Sequence, residues 1–192
     1  MATGRLVLRA AVGGLMMGHG LQKLTGSFGG PGLEGTGRTM ESLDIHPAKQ
    51  QAVAVALTET VGGGLTAVGF LSPLGPAMIT GAMAVAIRKV HAKHGVWVQD
   101  GGFEYNAVLM ALAFALAAEG PGPLSIDGLL RRRRSGLRWA IVELVVGLGA
   151  AAAVMALSDN LAARHETYDD GSIDDGSGLA TATDNTVALR RA

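Results

Sequence analysis

Six ionisable residues among the first 104 positions are spaced so that they could share one polar site in an otherwise apolar chain: His19, Lys23, Glu59, Arg88, His91 and Glu104. His19 and Lys23 stand four apart, which places them on one face of a helix. Imidazole and carboxylate groups are suited to proton transfer near neutral pH, so His19 and His91 are candidate proton donors with Glu59 and Glu104 as partners. Lys23 and Arg88 would supply counter-charge, and Trp97 lies where it could cover such a site. An ionised group inside hydrocarbon costs roughly 2.5–3.5 kcal/mol on insertion scales, so it is normally paired or faces a polar cavity. The expected pairs are Glu59 with His19 or Lys23, and Glu104 with Arg88 or His91. The competing reading is that these pairs only lock helices together. His91 and His94 have H-x-x-H spacing, but Lys89 and Lys93 flank them and would repel a cation, so no metal site is expected.

The elements that carry these residues read as helices of membrane length. Leu6 to Leu24 holds Gly13, Gly14, Gly18 and Gly20, a density that costs a soluble helix about 1 kcal/mol per interior glycine. In a bilayer small residues instead let helices approach closely, and the Gly14-x-x-x-Gly18 step is expected to face a neighbour. Residues 25–50, crowded with glycine, read as a loop ordered by close backbone contacts, with His46 a turn or surface residue before Pro47. A second span covers Ala52 to Leu71 with Glu59 its one charge, and Ser72-Pro73 reverses the chain. The third runs from Leu74 to Val90 and ends in Arg88, Lys89, His91, Lys93 and His94. The fourth runs from Phe103 to Ala118, opening with Glu104 and stopped by GPGP at Gly120 to Pro123. A fifth candidate, Leu137 to Leu157, is charged at Arg138 and Glu143 alone, and Glu143 is expected to contact Arg138 or a neighbouring helix. Residues 158–192 turn acidic and polar and read as a disordered tail.

The chain has 192 residues with Lys+Arg 16 against Asp+Glu 16, so no net charge draws it to nucleic acid. Charged residues make up 17%, below the about 25% of soluble domains, which favours a membrane protein. With no cysteine, disulfides, thiolate metal sites and thiol redox chemistry by the chain itself are excluded. A redox role would need a bound quinone, a flavin or a partner subunit. Arg5 and Arg9 precede an apolar run without an A-x-A-like cleavage site, which points to a retained anchor. Placing them, Arg131–Arg134 and Arg138 in the cytoplasm puts the N-terminus inside and the acidic tail outside. The four-arginine run then serves topology and anionic-lipid contact.

These stretches together resemble the DoxX family of small bacterial membrane proteins. The matching pieces are GHGLQKLTG at Gly18 to Gly26 with FGGPG behind it, ETVGGGLTAVGF at Glu59 to Phe70, His91 and Gly95 followed by GGFEYN at Gly101 to Asn106, and GPGPLSID at Gly120 to Asp127. The resemblance implies an all-α integral membrane four-helix bundle over residues 1–130 in the cytoplasmic membrane. A basic linker and a fifth transmembrane helix (131–157) would follow, then the acidic tail (158–192). Some relatives are associated with thiosulfate oxidation coupled to quinone reduction. Two function classes remain open: a quinone-linked oxidoreductase component with a polar pocket in the outer half of the bundle, and a non-enzymatic anchor or assembly factor for soluble redox or stress-response proteins. A small-molecule transporter is a third, without a visible broken-helix repeat. The expected partners are the lipid bilayer, a quinone and a soluble or membrane redox protein.

Overall fold

The computed structural model describes residues 2–171, and among them the chain is all helical, with no strand. Seven α-helices follow in order: α1 (Ala2–Thr25), α2 (Gly32–Ser42), α3 (Ala48–Val68), α4 (Leu74–Ala86), α5 (Glu104–Glu119), α6 (Ile126–Leu129) and α7 (Leu137–Gly171). A π-helical turn, Ile87–His91, prolongs α4. Helix α1 packs along α3, α3 along α4, α4 along α5, and α5 returns to α1; α7 lies against α4 and α5, and α2 against α1 and α3.

The α1–α3 contact is built on small residues in register. Buried positions on α1 are Arg9, Val12, Gly13, Met16 and Gly20, and on α3 Ala48, Ala52, Ala56, Glu59, Gly62, Gly63 and Thr66. Both sets step by three and four, the signature of one helical stripe. A Cβ on Gly13 would lie 2.4 Å from the Ala67 nitrogen, one on Gly20 2.3 Å from the Thr60 nitrogen, and one on Gly63 2.3 Å from the Met17 nitrogen. The expected Gly14–Gly18 contact is corrected: neither position has any atom within 4 Å of such a Cβ. Both lie off the buried stripe, which a G-x-x-x-G spacing does not by itself locate.

The loop expected over residues 25–50 contains an 11-residue helix, α2. Its glycines are poor helix formers, but Thr36 and Gly37 are buried, Thr36 Oγ1 donates to the Gly32 carbonyl at 2.8 Å, and Arg38 pairs with Glu34 one turn away at 2.7 Å. Tertiary packing overrides propensity here. The expected close backbone contacts are also present, since a Cβ on Gly30 would lie 2.4 Å from Gln22 Cβ. The polar tail expected from Ser158 instead begins as a continuation of α7 to Gly171, and Ser158 is buried with its hydroxyl accepting from the His46 backbone N–H at 2.9 Å. Residues 172–192 of the expected tail lie outside the described residues.

One end of the molecule is tied by arginines to the loop before α6. Arg9, buried in α1, donates to the Pro121 carbonyl and to that of Leu124 at 2.7 Å; Arg5 donates to the Glu119 carbonyl at 2.8 Å. Asp127, fully buried, accepts from the Ser72 N–H at 2.8 Å, while Arg134 donates to the Ser72 carbonyl at 3.0 Å. The GPGPLSID stretch therefore joins the start of α1, the α3–α4 turn and the approach to α7. Asp127→Ala should leave the buried Ser72 N–H unsatisfied and lower stability by about 1–3 kcal/mol, with Asp127→Asn closer to wild type because an acceptor oxygen remains. Thermal unfolding in mild detergent measures both.

Helix α7 is the one described helix long and apolar enough to cross a bilayer by length and composition, over the 27 residues Leu137–Ala163. Leu137, Ile141, Val142, Val145, Val146, Leu148, Val154 and Leu157 are exposed along it. Helices α4 and α5, with 13 and 16 residues, fall short of the roughly 20 residues a span needs.

Candidate functional site

At the opposite end from the arginine tie, a cavity of about 430 Å³ opens between α1, α2, α3, α4, α5 and α7. Its walls are largely apolar: Met16 from α1, Met40 from α2, Val55 from α3, Met83 from α4, Leu109 from α5, and Ala150, Ala151 and Val154 from α7. Most of its ionisable residues come from the ends of the helices, with His19 and Lys23 closing α1, Tyr105 opening α5, and Lys89 and His91 in the π-helical turn after α4, while Glu59 lies midway along α3. The volume falls within the roughly 300–1,000 Å³ of small-molecule sites.

Lys23 continues the buried stripe of α1 three residues beyond Gly20, and Glu59 lies on the facing stripe of α3. Their side chains meet with Nζ 2.5 Å from Oε2, Glu59 nearly covered at 6% exposure and Lys23 at 27%. Of the two partners expected for Glu59, the structure therefore selects Lys23. His19 lies off the stripe, is exposed, and contacts Gln22 Oε1 through Nδ1 at 3.1 Å. The lysine side chain crosses from the protein interior to the cavity rim, so its length rather than its charge alone suits it to the role.

The expected pairing of Glu104 with Arg88 or His91 is corrected. Glu104 opens α5 and its Oε2 accepts from the Val98 N–H at 3.1 Å, whereas His91 Nδ1 contacts the Gly101 carbonyl oxygen at 2.7 Å. Backbone bonds from Phe103 to Gly95 and from Glu104 to Val96 close the same loop. The backbone groups of a tight glycine turn, an amide for Glu104 and a carbonyl oxygen for His91, compete for these side chains more effectively than a distant ion does. Arg88 is exposed, and Trp97, at 60% exposure, faces away from burial. The cavity lining thus brings together His19, Lys23, Glu59 and His91, while Glu104, Arg88 and Trp97 stand outside it.

Several lining residues were not candidates on sequence grounds. Lys89 reaches the cavity and pairs with Asp159 of α7 at 3.0 Å, and Asn106 is buried with its amide on the Met83 sulfur at 3.3 Å. Thr39 and Met40 enter from α2 and Leu43 from its C-cap; the Glu34–Arg38 spacing was the one signal that their segment is helical. No group of three or more metal-ligating side chains is assembled among the described residues.

Among the described residues, an all-helical chain with an exposed aliphatic helix of spanning length has features of a membrane protein. The DoxX family model matches residues 4–92, and over that segment, a little under half of its length, the chain is similar to the DoxX family. That similarity, together with the exposed aliphatic length of α7, supports a membrane protein in contact with lipid. No curated protein and no solved structure matches the chain.

Proposed function

We propose that this DoxX-like protein is a component of a quinone-linked oxidoreductase, and that its cavity receives a small amphiphile with an apolar body and a polar head, of which a membrane quinone is the type. The single observation behind this reading is the cavity itself: apolar walls from six helices, with His19, Lys23, Glu59, Lys89 and His91 in its lining. A quinone supplies two-electron, two-proton redox chemistry when bound, with electrons delivered by a partner. The chain's own residues orient the head and move protons. His19 and His91 stand where they can donate to a carbonyl oxygen, and Lys23 pairs with Glu59 at the rim.

The packing suits a bundle of five crossings in the bacterial cytoplasmic membrane. Arg5, Arg9 and Arg134 mark one end, and Lys89–Asp159 and His46–Ser158 mark the other, so α1, α3, α4, α5 and α7 alternate in direction. The 16 residues of α5 cover about 24 Å, short of the bilayer core of about 30 Å, so in this reading the bilayer thins around α4 and α5. With the arginine end cytoplasmic, the cavity lies in the outer half.

Mass spectrometry of ligands retained after gentle detergent extraction tests the reading, and a quinone near one per protein is expected. Ala150→Phe, at an exposed position in the cavity wall, should reduce retention at least about tenfold, the equivalent of about 1.4 kcal/mol, with an unchanged melting temperature. Wild-type protein that retains only bulk phospholipid overturns it. The alternative, an anchor for a soluble enzyme, draws on one feature: the braced loop of residues 95–103 holds Val96, Trp97 and Val98 exposed. Co-purification of a soluble partner with a quinone-free protein would favour that role.

A further inference from the structure

Glu143 of α7 takes no part in the cavity lining, yet it is fully buried. Its Oε1 accepts from the Thr80 hydroxyl of α4, the neighbouring helix, and its Oε2 has no hydrogen-bond partner among the described residues. The surroundings are uncharged. Helix α4, over Leu74–Ala86, holds no ionisable residue, and α5 carries only Glu104, Tyr105 and Glu119, at its two ends. On α7 itself the nearest cation, Arg138, lies over the Trp139 ring, 5.6 Å from its centroid. Beyond Thr80, Arg88 is exposed, Lys89 is engaged by Asp159, and His91 is engaged by Gly101. One hydroxyl is thus the only group that donates to the carboxyl among the described residues, although the buried indole N–H of Trp139, one turn back on α7, also lacks a partner. An isolated carboxylate in so apolar a setting is costlier than a neutral acid by many kcal/mol, and such groups take up a proton instead.

The pair also borders the cavity. Gly81, next to Thr80, lines it, and so does Ala151, two turns beyond Glu143 on the same buried face of α7. Between them Gly147 holds the helices close, since a Cβ there would lie 2.7 Å from the Ala77 carbonyl oxygen. We propose that Glu143 is a proton-holding site of the α4–α7 seam, a neutral carboxylic acid that exchanges its proton through the adjoining cavity. In the exchange the O–H bond at Glu143 breaks as the proton passes to a water or ligand oxygen, and it re-forms with a proton from solvent; no electrons move. The proposal is independent of which molecule the cavity receives.

Infrared spectroscopy of the purified full chain in detergent at pH 7.5 reads this directly. A protonated-carboxyl C=O band should be present, disappear in Glu143→Gln, and shift within minutes of transfer to D2O. Thr80→Val, which keeps the acid but removes its hydrogen-bond donor, should move the band to higher frequency and decides the matter if Glu143→Gln does not fold. An unchanged band in folded Glu143→Gln, or no response to Thr80→Val, shows that the acid is not Glu143. A band that resists D2O until the protein unfolds shows a sealed structural proton. Either result overturns the proposal.

Discussion

Gly63→Leu should abolish the folded state in membranes, whereas Gly18→Leu, in a helix equally rich in glycine, should leave yield and melting temperature unchanged. A Cβ on Gly63 would lie 2.3 Å from the Met17 nitrogen and 2.6 Å from the Gly13 carbonyl oxygen, both backbone atoms that cannot turn aside. Overpacking a core typically costs about 1–3 kcal/mol when side chains can adjust. Here α1 and α3 must separate, which also forfeits the contacts of Gly13, Gly20, Ala52 and Ala56, so a loss of more than about 3 kcal/mol is expected. Gly18 has open space in the same construction. Size-exclusion profiles and thermal melts of the two variants in mild detergent check the contrast, and a folded Gly63→Leu protein would show that this seam does not hold the molecule together.

The contrast also marks where the sequence was legible. Helix positions followed from apolar runs and from their stops: Ser72-Pro73, the glycines at 101 and 102, and GPGP each fall at a helix boundary. Which face of a helix turns inward was harder to read, because α1 has glycine on several sides and only the facing stripe of α3 decides among them. Helix α2 was hidden for a related reason. Four of the residues from Gly30 to Gly37 are glycine, so propensity argues for a loop, and the packing against α1 and α3 that makes it helical is non-local. Arg9 reads as a topology signal, and its bonds to the Pro121 and Leu124 carbonyls depend on residues more than 100 positions away.

The candidate site divides in the same way. Glu59, alone among apolar residues of a long helix, announces itself by cost, and a partner is required wherever it lies. Glu104 announces itself less clearly, since a helix start adjoining a glycine turn offers backbone amides that satisfy a carboxylate without any ion. Sequence spacing along one helix predicts that two groups share a face, as for His19 and Lys23, but not which of them points at the neighbouring helix.

Lys23→Met is expected to destabilise the protein by about 3 kcal/mol, the lower part of the range for breaking a buried ion pair, because it leaves the Glu59 carboxylate 6% exposed and unpaired while Lys23 itself keeps some contact with solvent. Glu59→Gln removes the charge that needs a partner and should cost less, and the double variant Lys23→Met with Glu59→Leu should recover most of the loss, since well-packed apolar residues often replace a buried pair without penalty. Thermal melts of the wild type, Lys23→Met, Glu59→Leu and the double variant in one detergent form a double-mutant cycle that isolates the coupling. Ligand retention then separates the two uses of the pair. If it serves only to join α1 and α3, the stable double variant should retain a bound quinone as wild type does. If Glu59 and Lys23 orient the polar head, the double variant should be folded and empty. A stable double variant with full retention would remove both residues from the site, whereas a cycle with no coupling would show that the 2.5 Å contact carries no stability.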